Sequence, residues 1–237
     1  MNNTIQLIAI AAIPVLLAII LHEVSHGYVA HLFGDDTAKN AGRLTLNPIK
    51  HIDPFGTILL PILLIVIGSP FLFGYAKPVP VNFNALRNPK KDTAFVAAAG
   101  PATNFILAII SFILLKIILF NYPIMSLYLF EFLHTFKFQN VANTGIFFKD
   151  FIYPVTFMLF VSIMINVILG IFNLIPIPPL DGGRVAVSIL PEPLSSSLSR
   201  IEPFGIFVIL ILLLIDPYNF FITGFNFIVN NLILRNI

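Results

Sequence analysis

Five consecutive residues, His22-Glu23-Val24-Ser25-His26, set two imidazoles and a carboxylate within little more than one helical turn. They form a His-Glu-x-x-His pattern. Four residues advance an α-helix by about 400°, so both rings share a face, roughly 6 Å apart along the axis. That spacing lets both bind one zinc ion. Glu23 projects about 100° further round and can reach a metal-bound water without binding the metal. Each ionisable group near mid-membrane costs roughly 2.5–3.5 kcal/mol by insertion scales. Three within five residues of an apolar run therefore need a reason, and a metal supplies one.

A catalytic zinc commonly takes three protein ligands and keeps one position for water. Asp181 is the best candidate for the third. It stands in the stretch Asn173 to Arg184, where prolines end an apolar run and Gly182-Gly183 permits a sharp turn beside a ligand. A turn or helix N-cap role is the alternative for Asp181. His31, His51, Asp35 and Asp36 are rivals. His31, five residues past His26, points off the shared face. Asp35 and Asp36, after Gly34, read as a solvated turn. His134 falls in a segment placed on the opposite side. Ala98 to Thr103 is rich in small residues that suit close helix packing, and Asn104 follows as a polar group that could line the site.

The elements that must position these groups are apolar. Of 237 residues 58% are hydrophobic and 10% charged, against about 25% charged in soluble domains. So little charge cannot cover a water-facing surface, which makes lipid the expected solvent. Five stretches are candidate membrane helices: Thr4 to Leu32, Phe55 to Phe73, Thr93 to Phe120, Phe151 to Phe172, and Phe204 to Leu234, the last broken at Asp216-Pro217. The first has no basic n-region or cleavage site before it and reads as a retained helix. Arg43-Leu44-Thr45-Leu46 alternates as a short strand would. Tyr75 to Asp92 reads as an ordered, non-helical surface loop, and Asn121 to Asp150 as a mixed segment. The formal charge is +2 with no basic block, which excludes nucleic acid as a partner. The absence of Cys excludes disulfides, thiolate zinc sites and cysteine catalysis. The expected fold is an all-α polytopic membrane protein, one membrane-embedded domain over 1–237. It is a helical bundle with a short membrane-associated β segment and a re-entrant hairpin.

Together these residues resemble the site-2 protease family of intramembrane zinc metalloproteases, in its compact bacterial form without PDZ or CBS domain. The likeness rests on His22 to His26, on Gly100-Pro101-x-x-Asn104, and on Asn173 to Gly183, in the family's order. It extends from Gly42-Arg43 through Ala76-Lys77-Pro78-Val79-Pro80-Val81-Asn82. The resemblance implies one Zn2+ ion bound by His22, His26 and Asp181, with Glu23 as the catalytic base. It also implies that Asn173 lies near the site as a hydrogen-bond donor to substrate or oxyanion, a contact for which Asn104 is a second candidate. The implied partners are a transmembrane protein or peptide substrate and the bilayer of a bacterial cell membrane.

A shared metal constrains the topology. His22 and His26 close the first run and Asp181 follows the fourth, so these two runs should cross in one direction and the third in the other. Phe55 to Phe73 is then left with no net crossing, as a re-entrant hairpin broken near Pro61 or Gly68; an ordinary span is the alternative. Lys39, Arg43 and Lys50 precede this run, and Lys77, Arg87, Lys90 and Lys91 follow it. With both flanks cytoplasmic the positive-inside rule is obeyed. The N-terminus is then outside and the zinc nearer the cytoplasmic face. Leu44 to Leu46 would be placed to pair with an unwound substrate strand. Three rival readings keep the metal residues: a hydrolase of a lipid or small molecule, a metal transporter, and an inactive binding relative. Glu23 has no task in the transporter, and its presence weighs against the inactive relative.

Overall fold

The chain was analysed as a computed structural model that describes residues 3–67, 74–135, 137–139 and 145–205. Its helices are α1 (Asn3–Leu32), α2 (Thr37–Asn40), α3 (Leu60–Val66), α4 (Pro89–Asn121), α5 (Ile124–Thr135), α6 (Tyr153–Asn173), α7 (Asp181–Ile189) and α8 (Leu194–Ser199). Among the described residues, three helical stretches are long and apolar enough to cross a membrane: Ile5–Leu32, Pro89–Asn121 and Phe148–Asn173. The shortest has 26 residues, or about 39 Å at 1.5 Å per residue, against a hydrocarbon core of about 30 Å. Their outward side chains suit lipid. Ile8 and Ile13 on α1, and Ile106, Ile109, Ile113 and Ile117 on α4, are each 52–64% exposed. An apolar surface of that extent is unfavourable in water and neutral against acyl chains. The expected run from Phe204 to Leu234 lies outside the described residues after its first two positions.

The described residues pack as two units. One draws on residues 3–15 and 105–169. Its core holds Leu115, Met125, Leu129 and Phe157, each 0–1% exposed. Met125, Leu129 and Phe132 recur at helical spacing, so the mixed segment after Asn121 forms a helix with one buried face. Ser111 and Ser162 share a 2.8 Å hydroxyl bond, and Asn166 donates to the Ser162 carbonyl at 2.9 Å. The serine pair joins α4 to α6 where apolar contact gives no preference over lipid.

The other unit draws on residues 16–104 and 170–203. After α1 the chain turns at Gly34, whose φ of 107° favours glycine. Asp35, expected in a solvated turn, is instead 1% exposed. Its carboxylate accepts from the Thr37 amide at 2.9 Å, from the Thr37 hydroxyl, and from the Asn82 amide at 2.7 Å. Burial pushes this carboxyl up, but the three donors outweigh burial and hold it below its usual value.

The expected strand at Arg43 to Leu46 is not formed; among the described residues there is none. Alternating polarity lost to local hydrogen bonding. Gly42 turns with φ 61°, Arg43 N donates to Ala38 O, and the Thr45 hydroxyl accepts from Asn47 N. The Thr45 carbonyl, which a partner strand would need, bonds His51 Nε2 at 2.8 Å. No free edge for a substrate strand is laid out there.

The segment expected as a hairpin begins as a helical stretch, Pro54–Leu59, that runs into α3. Residues 68–73 of it lie outside the described residues. Its two ends meet. Tyr75 N donates to Gly56 O at 3.1 Å, the Thr57 hydroxyl donates to Tyr75 O at 2.8 Å, and Lys77 N donates to His51 O at 2.9 Å. Gly56 has no Cβ because the Tyr75 ring occupies that place, 2.4 Å from where one would stand.

Candidate metal centre

The last third of α1 presents the two histidines. Their rings are 4.8 Å apart between centroids and nearly perpendicular. Each is oriented through Nδ1. His26 Nδ1 donates to the Val96 carbonyl at 2.7 Å. A carbonyl can only accept, so this nitrogen carries the proton. His22 Nδ1 lies 2.5 Å from Asn104 Oδ1, and Asn104 is wholly buried. The amide is oriented in turn, because its Nδ2 donates to Ala18 O at 3.3 Å. With both Nδ1 atoms protonated, both Nε2 atoms are bare lone pairs, 3.2 Å apart.

Asp181 completes the group. It is the first residue of α7, and Leu180 takes the N-cap position before it. Its Oδ2 lies 3.1 Å from His22 Nε2 and 3.3 Å from His26 Nε2, and it is buried without a hydrogen-bond partner. Two lone pairs and a carboxylate oxygen that converge in a buried place repel one another unless a cation joins them. Two imidazoles and one carboxylate suit zinc and leave a fourth position open.

Glycines bring the other elements this close. A Cβ at Gly100 of α4 would stand 2.4 Å from His26 Nε2 and 2.6 Å from His22 Nε2. Only a missing side chain lets α4 pass behind the imidazoles. A Cβ at Gly182 would meet Leu174 O at 2.2 Å, and one at Gly183 would meet Pro178 N at 2.1 Å. Hence α7 starts folded onto the turn that precedes it, and Asp181 is aimed by that contact.

Glu23 is half-buried, and its Oε2 accepts the Val79 N–H at 2.9 Å. His22, Glu23, His26, Asp181 and Asn173 open on one cleft of about 200 Å³, walled by Pro78, Val79, Val81, Phe83 and Arg184. Asn104 is not on that wall. It is wholly buried and meets His22 through Nδ1 of the ring. The rivals are elsewhere. His31 pairs with Asp36 at 2.5 Å, His51 is buried against Thr45 O, and His134 Nδ1 bonds Phe130 O. The Val96 carbonyl and the Val79 amide went unforeseen in the sequence. Both are backbone groups, which every residue has, so no residue type signals them.

The sequence profile of peptidase family M50 matches residues 10–215. The chain belongs to this family, the site-2 proteases. The M50 chain is therefore a metallopeptidase, and its donor set fits the zinc expected. It is 38% identical to YwhC of Bacillus subtilis over 215 residues, covering 90% of this chain and 83% of that one. It is 30% identical to Rip2 of Mycolicibacterium smegmatis, covering 85% and 65%, and 27% identical to Rip2 of Mycobacterium tuberculosis, covering 92% and 74%. All three relatives bear zinc-metalloprotease names. No solved structure is significantly similar to the chain.

Proposed function

We propose that this M50 peptidase hydrolyses peptide bonds within or beside the transmembrane helices of other membrane proteins. Zinc would be held by His22, His26 and Asp181, and Glu23 is the general base. The observation that carries the reading is the unsatisfied triad, with two of its members on a helix able to cross the bilayer. When bound there, zinc supplies Lewis acidity toward the scissile carbonyl and lowers the pKa of water toward 7. Glu23 takes the proton of the attacking water and later gives it to the leaving amine. The Val79 amide keeps one of its oxygens fixed, which leaves the other for the water. Asn173, on the cleft wall, is the proposed donor to substrate or oxyanion. Asn104 orients His22.

A helical substrate has its amides paired and must unwind before attack. Cleavage by the purified protein of a synthetic transmembrane peptide tests the substrate class, and failure of the zinc-loaded protein refutes it. Glu23→Gln should lower kcat/KM by on the order of 10²–10⁴ and still bind one zinc per chain. Wild-type rates in that variant would refute the base assignment.

The orientation proposed puts residues 39–50 and 77–91 on the cytoplasmic side. Its support is that both basic segments are joined, Lys77 bonding His51 O through its amide and Arg43 through its carbonyl.

A further inference from the structure

Arg43 is a buried cation outside the ligand set. It is 8% exposed, and among the described residues no carboxylate lies within ion-pair distance of it. A long basic side chain ordinarily snorkels its head to water. This one instead donates through Nη2 to Lys77 O at 2.8 Å and to Pro78 O at 3.3 Å. The next residue, Val79, gives its amide to Glu23. The side chain of Val79 is wedged on α1 at Gly27, where a Cβ would stand 2.6 Å from Val79 Cγ1. Lys77 N is held by His51 O. Three consecutive residues beside the base are thus pinned, and Arg43 is the side chain that fixes two of their carbonyls.

We infer that Arg43 is a positioning residue for Glu23. Its guanidinium clamps the Lys77 and Pro78 carbonyls, so the Val79 N–H meets the Glu23 carboxylate and holds it in one orientation. The inference rests on the reading of Glu23 as general base. Loosening the clamp leaves the ligands and most of the cleft wall untouched. It frees the base to swing, and a misplacement of about 1 Å can cost on the order of 10²-fold in rate.

The test compares full-length wild type, Arg43→Met and Arg43→Lys on the synthetic transmembrane peptide, with zinc per chain measured on the same samples. In Arg43→Met, kcat falls about 10- to 100-fold while KM and zinc stay at wild-type values. Arg43→Lys recovers part of the loss, since an ammonium still donates to both carbonyls. An unchanged kcat in Arg43→Met overturns the inference. So does a rise in KM alone, or a loss that tracks missing zinc. If Arg43→Met does not fold, Arg43→Lys decides: kcat below wild type at full zinc supports the clamp, and parity refutes it. Glu23→Gln is assayed alongside. Wild-type cleavage by that variant sinks the base assignment and the inference with it. A dead Glu23→Gln beside an unimpaired Arg43→Met sinks the clamp alone.

Discussion

A histidine binds metal through a lone pair, and which nitrogen offers it depends on what the other nitrogen bonds. His26 is fixed by a backbone carbonyl, which no side-chain change can remove. His22 depends on one side chain, Asn104. Asn104→Ala should therefore weaken zinc binding by about 10- to 100-fold, because His22 loses its tautomer and its orientation together. Competition with a chromophoric chelator measures this, and unchanged affinity would reduce Asn104 to a space-filler. Asp181→Ala should go further and bring zinc below one per chain, since two imidazoles alone make an incomplete site.

At the scale of elements, the site depends on how near helices come. Gly100 lets α4 pass the two imidazoles where a methyl group would not fit. Gly100→Ala should cost about 1–3 kcal/mol in overpacking and should displace the imidazoles, so zinc content and cleavage fall together. Full zinc in that variant would show the helices giving way elsewhere. The turn after α1 carries a pH dependence. Asp35 has a folded value below its unfolded value of about 3.9. Its stabilisation is therefore complete above that pH and is lost as pH falls through the folded value. Asp35→Asn should cost about 1.5–3 kcal/mol at neutral pH and flatten the acid limb of a thermal-unfolding profile in detergent. An acid limb of unchanged slope would assign the pH dependence to other groups.

For the whole molecule, the distribution of charge and apolar surface decides how the chain lies in lipid. The closure at Gly56 and Tyr75 keeps the basic segments on either side of it together. Reporter fusions after Asn82 and after Asn121 should report opposite sides, with Asn82 cytoplasmic and Asn121 outside. The same side for both would defeat the proposed topology.

The spacing His22-Glu23-x-x-His26 determined by itself that two rings share a helix face, because helical geometry is local. Composition likewise determined lipid as the solvent, and the runs of α1 and α6 were legible to within two residues for the same reason, while α4 starts at Pro89, four residues before the expected Thr93 and inside the segment read as a loop. The strand at Arg43 to Leu46 was misread because alternation is a weak local signal, and side chains of Thr45, Asn47 and His51 took up the backbone bonds. Asp35 was misread as solvated because its third donor, Asn82, is 47 positions away. Only the tertiary structure decided that Asp181 meets the histidines, that Asn104 bonds His22, and that Val79 holds Glu23. These contacts join residues 56 to 159 positions apart or use backbone groups, and neither distance in space nor a peptide N–H is written in the type of a residue.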